Sequence, residues 1–276
     1  MFTRICVIQV REVYLFRMMQ RHFFQSGALR LSYLDSAADA PLIIALHALW
    51  MQGSSFNALA ARLFPRYRVV ALDQRGHGKS ARASDYSRCC FVEDIAALLD
   101  HLKTSQPVVI LGNSLGGTNA FQFAARYPKR VSHLINEEGP ALENYHFDWI
   151  QNWQGTFATT TDFAQRVGRF YWSLVDSLEK QENGYKLCFH SEDIIEIQRL
   201  TNGDWWSDWL ATEMPALVIR GSKSRAVEET IMQEMVERRR NTSLVCIEAG
   251  HVMHEDNVAA TVESIDQFLT ANSHST

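Results

Sequence analysis

The sequence predicts an α/β protein with a doubly wound, mostly parallel sheet and an inserted helical cap. From Leu29 onward, short runs that are apolar on both faces alternate with longer amphipathic stretches, as in a parallel sheet covered by helices. Residues 140–211 interrupt this alternation: no clear strand is visible there, and the segment holds six of the seven tryptophans. Aromatic side chains bury large areas, so we expect this segment to form a separate layer above the sheet.

Each element follows from its own pattern. Seven runs rich in aliphatic and β-branched residues predict strands at 29–35, 41–47, 67–73, 107–113, 131–138, 215–221 and 243–249. Apolar residues with helical spacing, such as Val92, Ile95, Leu98, Leu99 and Leu102, predict helices at 53–63, 90–102, 115–127, about 226–239 and about 257–270.

The same patterns set the predicted boundaries. Residues 23–139 and 212–276 form the core, residues 140–211 the helical cap, and residues 1–22 an N-terminal extension of doubtful order. Met18 and Met19 stand just before the recognisable pattern, which suggests that residues 1–17 are a mis-assigned start or a loose extension.

Composition excludes several classes of protein. The net charge of -4 gives no electrostatic footprint for nucleic acid, and no apolar run reaches the roughly 20 residues of a membrane span. The five cysteines form no C-x-x-C pair and their number is odd, which argues against a metal site or a disulfide framework. We therefore expect a cytoplasmic protein without a metal or cofactor; its oligomeric state is not readable from the sequence.

The stretch Gly112-Asn113-Ser114-Leu115-Gly116 matches G-x-S-x-G and lies between a predicted strand and a predicted helix. That context is required for a nucleophile elbow, in which a strained turn exposes the serine hydroxyl and needs small residues on either side. The helix start also directs backbone N–H groups and a positive dipole end to the same point. Ser114 is therefore the candidate nucleophile.

A nucleophilic serine needs a base, and His251 lies in the loop after the last predicted strand. Serine followed by histidine is the chain order expected for this architecture. His254 is the nearest competitor, but we expect it to cap the following helix. His77, in the glycine-rich loop DQRGHGKS, is expected to brace that loop.

The strings LHALW, DQRGHGKS, GNSLGG and AGH, in this order and spacing, resemble the α/β-hydrolase fold family, in particular small serine hydrolases with a helical cap. The resemblance covers about Phe23 to Leu269. It implies that Ser114 is the nucleophile, that His251 is the base, and that the backbone N–H groups of Leu49 and Leu115 form an oxyanion hole. No metal or cofactor is implied.

Two positions depart from the family pattern. Ala48 stands where glycine is usual, and a small side chain there should leave the oxyanion donor in place. The usual aspartate is replaced by Ser224, which could orient a histidine but cannot balance its charge. Some family members, including haloalkane dehalogenases, carry the acid after the preceding strand, which points here to Glu138. Glu137 should face the opposite side of the sheet.

Trp50 and the cap tryptophans Trp149, Trp153 and Trp172 are the candidate pocket residues, and they favour a small to medium apolar substrate. The predicted function is hydrolysis of a carboxylic ester, lactone or thioester through an acyl-enzyme. One alternative is a carbon–carbon bond hydrolase of aromatic catabolism, because several of these carry a similar Gly-Asn-Ser-x-Gly-Gly. Another is a ligand-binding protein on a weakened hydrolase scaffold. A haloalkane dehalogenase is disfavoured because its nucleophile is an aspartate, whereas position 114 is a serine.

Overall fold

A computed structural model describes residues 19–273, except for the side chains of Trp172, Ser173 and Asp176. An eight-stranded sheet with the order β1-β2-β4-β3-β5-β6-β11-β12 forms its centre. Its strands are β1 (Gln20–Ser26), β2 (Leu29–Asp35), β3 (Leu42–Leu46), β4 (Arg68–Asp73), β5 (Val108–Asn113), β6 (Val131–Glu137), β11 (Ala216–Gly221) and β12 (Thr242–Ile247). β2 runs opposite to the other seven strands, and every pair that does not include β2 is parallel, so the predicted doubly wound, mostly parallel sheet is confirmed.

Helices cover both faces of the sheet. They are α1 (Asn57–Leu63), α2 (Arg88–His101), α3 (Leu115–Arg126), α4 (Thr160–Val167), α5 (Tyr171–Leu174), α6 (Ser191–Thr201), α7 (Trp206–Trp209), α8 (Glu229–Arg238), α9 (Met253–Asp256) and α10 (Val258–Ala271). One face packs on α2, α3 and α8, and the other packs on α1 and α10. Because strands such as β5 are buried along their whole length, they read as continuous apolar runs in the sequence.

The seven predicted strands are all present, with ends within two residues of the prediction. One strand was missed. β1 begins at Gln20 and pairs along its length with β2, so residues 20–22 belong to the sheet and not to an extension. Its pattern of half-buried polar residues explains the omission, because an edge strand needs no apolar run. The suggested extension over residues 1–17 lies outside the described residues.

The segment between β6 and β11 contains α4 to α7, but the expectation that it has no strands is wrong. It also contains two small sheets, formed by β7 (Leu142–Glu143) with β10 (Gly203–Asp204) and by β8 (Leu178–Gln181) with β9 (Gly184–Leu187). Strands of two to four residues are too short to show an alternating pattern. The segment has its own apolar cluster, which includes Trp153, Phe157 and Phe163.

Within residues 19–273, no helix is both long enough and apolar enough to cross a membrane. Of the five cysteines, Cys89, Cys90, Cys188 and Cys246 are free thiols, and Cys6 lies outside the described residues.

Candidate active site

Ser114 occupies the turn between β5 and α3 at the carboxyl end of the parallel sheet. Its backbone is strained, with φ 52° and ψ -115°, a region that residues with a Cβ rarely adopt. The turn needs glycine on both sides: a Cβ on Gly112 would overlap the carbonyl of Gly116, and a Cβ on Gly116 would overlap that of Leu46. These contacts give the physical reason for G-x-S-x-G at this point.

Glu137 is the last residue of the neighbouring strand β6, Glu138 follows it, and both are fully buried. Glu138 has a positive φ of 50°, so the chain turns sharply there. Asn136 stabilises this turn by accepting a hydrogen bond from the Gly139 N–H at 2.7 Å and donating one to the Gly139 carbonyl at 2.8 Å. The two carboxylates consequently reach different histidines.

Glu138 contacts His251. Its Oε2 atom lies 2.6 Å from Nδ1 of His251 and also accepts a hydrogen bond of 2.6 Å from the hydroxyl of Ser224. Its Oε1 atom accepts the backbone N–H of Gly221 at 3.0 Å. Ser224 thus contacts the carboxylate, and no hydrogen bond between Ser224 and His251 is found among the described residues. Two donors, the hydroxyl of Ser224 and the N–H of Gly221, hold the carboxylate in place against the imidazole.

Glu137 contacts His254 instead. Its Oε2 atom lies 2.6 Å from Nδ1 of His254, whose Nε2 atom lies 3.2 Å from the hydroxyl of Ser55. His254 is fully buried and stacks on Phe56 with ring centroids 4.1 Å apart. The expectation that His254 caps a helix is wrong, because the side chain of Asn257 accepts the hydrogen bond at the start of α10. Glu137, His254 and Ser55 form a buried network beneath the loops that carry Glu138 and His251.

Asn113, which precedes Ser114, was not singled out by the sequence. Its side-chain amide donates hydrogen bonds to the carbonyl of His251 at 2.9 Å and to that of Glu137 at 3.0 Å. It therefore ties the serine turn to the histidine loop and to the end of β6. Its place inside the G-x-S-x-G string was the available signal.

The loop after β3 offers one free backbone donor among three consecutive residues. The Trp50 N–H binds Nε2 of His77 at 3.2 Å, and the Met51 N–H binds the Ala48 carbonyl at 3.2 Å. Among the described residues, no hydrogen-bond partner is found for the N–H of Leu49 or of Leu115. Ala48 is buried and has no positive φ, so alanine fits at the position where the family pattern has glycine.

His77 and His47 hold this loop from below, and both are fully buried. Nδ1 of each ring lies close to a carbonyl oxygen, that of Arg75 for His77 at 3.0 Å and that of Ala48 for His47 at 2.7 Å. The remaining nitrogens accept the N–H groups of Trp50 and Gln74. Burial lowers the pKa of His47 to about 4. Burial is also the main reason that the pKa of His77 is lowered to about 3, and repulsion from His47 lowers it further. Both rings are neutral near pH 7, as this pattern of hydrogen bonds requires.

A cavity of about 430 Å³ lies between the sheet and the segment above it, and both Ser114 and His251 line it. Leu49, Leu115, Trp50 and Trp149 also line it. Trp153 does not, because it is buried behind Trp50 and Trp149 and contacts both edge-on. The side chain of Trp172 lies outside the described residues.

Two polar side chains that the sequence did not indicate also line the cavity. Glu143 and Gln198 line it, and Glu143 pairs with the buried guanidinium of Arg88. Their sequence contexts carry no motif. Within residues 19–273, no group of three or more His, Cys, Asp or Glu side chains is arranged to hold a metal ion.

The sequence is similar to those of known proteins over most of its length. The 2-(acetamidomethylene)succinate hydrolase of Mesorhizobium japonicum is 24% identical over 249 residues, which span 84% of this chain and 89% of that protein. The magnesium-chelatase 30 kDa subunit of Rhodobacter capsulatus is 36% identical over 243 residues, which span 79% of this chain and 83% of that protein.

The fold is also shared with a solved structure, that of E-2-(acetamidomethylene)succinate hydrolase, with a TM-score of 0.80 and 21% identity. The match covers 91% of this chain and 99% of that one. A family model described as the alpha/beta hydrolase fold matches residues 41–258. The chain therefore belongs to the alpha/beta hydrolase fold family, as the four sequence strings suggested.

Proposed function

We propose that this protein is a serine hydrolase that cleaves a carboxylic ester, lactone or thioester of a small to medium, largely apolar substrate through an acyl-enzyme. The observation that carries the proposal is the hydrogen bond between Glu138 and His251 beside a cavity that Ser114 also lines. A strained serine and an imidazole that line one cavity, with a buried carboxylate bound to the imidazole, are the components of a nucleophilic triad.

Each group has a distinct role in this proposal. Ser114 attacks the substrate carbonyl, and His251 accepts its proton and later delivers it to the leaving group. Glu138 keeps the Nδ1 proton of the imidazole in place and stabilises the imidazolium that forms. The N–H groups of Leu49 and Leu115 hold the oxyanion, and water then releases the acid.

With Glu138 as the acid, a serine at position 224, where the family usually has an aspartate, is compatible with a complete triad. The hydroxyl of Ser224 donates to the same Oε2 atom that faces His251, so a serine at this position supports the carboxylate of Glu138. A neutral residue suffices there when the negative charge comes from the neighbouring strand.

A fluorophosphonate probe tests whether Ser114 is an activated nucleophile. We expect the wild-type protein to be labelled on Ser114, and the variants Ser114→Ala and His251→Ala to remain unlabelled. Ser224→Ala is the matched control for loss of a buried hydroxyl near the site and should still be labelled. A folded wild-type protein without label would refute the proposal.

Ester hydrolysis has to be distinguished from carbon–carbon bond cleavage, which the string GNSLGG also permits. Assays with p-nitrophenyl butyrate and with a dienone ring-fission product, run on the same preparation, separate the two reactions. We expect turnover of the ester. Turnover of the dienone alone would establish the alternative.

A ligand-binding role is the other candidate, and one relative favours it: the similar protein of Rhodobacter capsulatus is named as a subunit of a chelatase. The intact Ser114, His251 and Glu138 arrangement weighs against a purely non-catalytic role. An unlabelled Ser114 together with saturable binding of an apolar ligand would support the binding role.

A further inference from the structure

The cavity beside Ser114 has a polar wall that the proposed reaction does not use. Most of its lining is aromatic or aliphatic, including Trp50, Phe147, Trp149 and Phe170. Glu143 of β7 and Gln198 of α6 also line it, although only 7% and 6% of their surfaces are exposed. Polar atoms on the wall of a largely apolar cavity can form hydrogen bonds with a ligand bound there, and such bonds fix the orientation of that ligand.

One oxygen of Glu143 has a partner. Its Oε1 atom accepts a hydrogen bond from the guanidinium of Arg88, which also donates to Oδ1 of Asn119 at 2.9 Å and to the carbonyl of Thr201 at 3.0 Å. Burial lowers the pKa of Arg88, while Glu143 raises it. Among the described residues, the second oxygen of Glu143, Oε2, has no partner.

The orientation of the Gln198 amide follows from its neighbour Asn202. The backbone of Tyr145 donates its N–H to Oδ1 of Asn202 at 2.9 Å and accepts from Nδ2 at 2.8 Å, so the Asn202 amide cannot be reversed. Gln198 must therefore direct its NH2 group to that oxygen, at 2.8 Å. Its own oxygen, Oε1, is left without a partner among the described residues.

We propose that these two atoms, Oε2 of Glu143 and Oε1 of Gln198, bind a neutral hydrogen-bond donor on the substrate, either a hydroxyl or an amide N–H. We call them the acceptor pair. The inference rests on the proposed function, since it names a feature of the molecule that Ser114 attacks. The substrate is then apolar along the aromatic wall and carries one donor group that reaches β7 and α6.

The surrounding charges select a neutral donor. The charge of Glu143 is already balanced by Arg88, so an ammonium group would bring an unpaired charge into a largely apolar cavity. Arg169 and Arg225 also line the cavity and would repel a cation. An anionic group offers only acceptor lone pairs, and neither oxygen of the acceptor pair carries a hydrogen to donate to it.

Matched esters that differ in one N–H test the inference. The first series is p-nitrophenyl 4-acetamidobutanoate, 5-acetamidopentanoate and 6-acetamidohexanoate, each compared with its N-methyl derivative. The second series, acetamidoalkyl butanoates with the same N-methyl partners, places the donor in the alcohol half. We expect kcat/KM for at least one N–H ester to exceed that of its N-methyl partner by about tenfold or more, because the methyl group leaves buried acceptors unpaired.

The variant Glu143→Gln should remove this preference. Its amide oxygen can still accept from Arg88, but its NH2 group now faces the cavity, so the ratio should fall to about threefold or less. Gln198→Met removes the other acceptor without touching the Arg88 pair, and serves if Glu143→Gln does not fold. Glu182→Gln, on the exposed turn of the β8–β9 hairpin, is the matched control and should keep the wild-type ratio.

Binding to the variant Ser114→Ala separates this inference from the proposed function. Calorimetric titration with the same ester pairs should again show about tenfold tighter binding of an N–H ester. That preference without turnover by the wild-type protein would overturn only the proposed chemistry. Equal dissociation constants for all pairs in both series would overturn the acceptor pair.

Discussion

Two glutamate–histidine pairs lie side by side at the end of β6 and differ in what surrounds them. Glu138 and His251 are joined at 2.6 Å, and His251 reaches the cavity, with 26% of its side chain exposed. Glu137 and His254 are joined at the same distance, but both side chains are fully buried. The same two residue types thus reach a cavity in one pair and remain fully buried in the other.

The comparison teaches that a short carboxylate–imidazole contact does not by itself indicate catalysis. A serine lies near each pair: the hydroxyl of Ser55 lies 3.2 Å from Nε2 of His254, and Ser114 lines the cavity that His251 also lines. The buried serine, however, has no strained backbone, while Ser114 has a positive φ and lines the cavity. Access and backbone geometry distinguish the two sets of residues.

The largest expected effect is on activity, from Glu138→Gln. An uncharged amide cannot stabilise the imidazolium, so we expect kcat to fall by about 10³- to 10⁴-fold, as in other triads that lose this charge. Steady-state kinetics with p-nitrophenyl butyrate measures it. Circular dichroism establishes that the variant is folded. A kcat close to that of the wild type would remove Glu138 from the proposed triad.

The buried histidines beneath the loop after β3 predict a loss of stability in acid. His47 and His77 have pKa values lowered to about 4 and about 3, whereas unfolded histidine titrates near 6.5. The unfolded chain therefore binds more protons below pH 6.5, and the free energy of unfolding decreases as pH falls toward these values. At pH 4 the effect of His47 is on the order of 3 kcal/mol.

Urea unfolding of the wild type and of His77→Gln, measured from pH 7 to pH 4, isolates one of these residues. The variant lacks one buried group that resists protonation, so its free energy of unfolding should change less with pH. Identical pH dependence in the two proteins would contradict the assignment.

Glu137→Gln should affect stability more than catalysis. The substitution weakens a buried contact with His254 and leaves an amide in a fully buried site, which costs about 1–3 kcal/mol. We expect kcat to stay within about tenfold of the wild type, because Asn113 still holds the His251 loop. Urea unfolding and steady-state kinetics of Glu137→Gln and Glu138→Gln, measured side by side, test this difference between a stability effect and a catalytic effect. A folded Glu137→Gln protein with kcat as low as that of Glu138→Gln would contradict the prediction that Glu137 matters mainly for stability.

The smallest expected effect comes from Ser224→Ala. Loss of the Ser224 hydroxyl leaves the carboxylate of Glu138 bound by the Gly221 N–H and in contact with His251, so we expect a two- to tenfold decrease in kcat, about the value of one hydrogen bond. A loss as large as that of Glu138→Gln would mean that the hydroxyl has a more direct role than support of the carboxylate.

The sequence by itself determined the features that depend on local pattern. Continuous apolar runs predicted the parallel strands, and G-x-S-x-G between a strand and a helix located the turn at Ser114. Both patterns follow from short-range physics: strands buried on both faces must be apolar, and the glycines beside Ser114 are required by contacts with adjacent backbone. Alternation along β6 also predicted that Glu137 and Glu138 face different sides.

Only the tertiary structure decided which partners these side chains meet. The contact between Glu138 and His251 joins residues 113 positions apart, and that between His254 and Ser55 joins residues 199 apart. No local pattern encodes such contacts, because they arise where the carboxyl ends of separate strands converge at one edge of the sheet. The cavity shows the same limit of sequence-based prediction, because Trp153 was expected to line it and does not, whereas Glu143 was not expected and does. Whether a side chain lines a cavity depends on the packing between layers, which the residue type does not reveal.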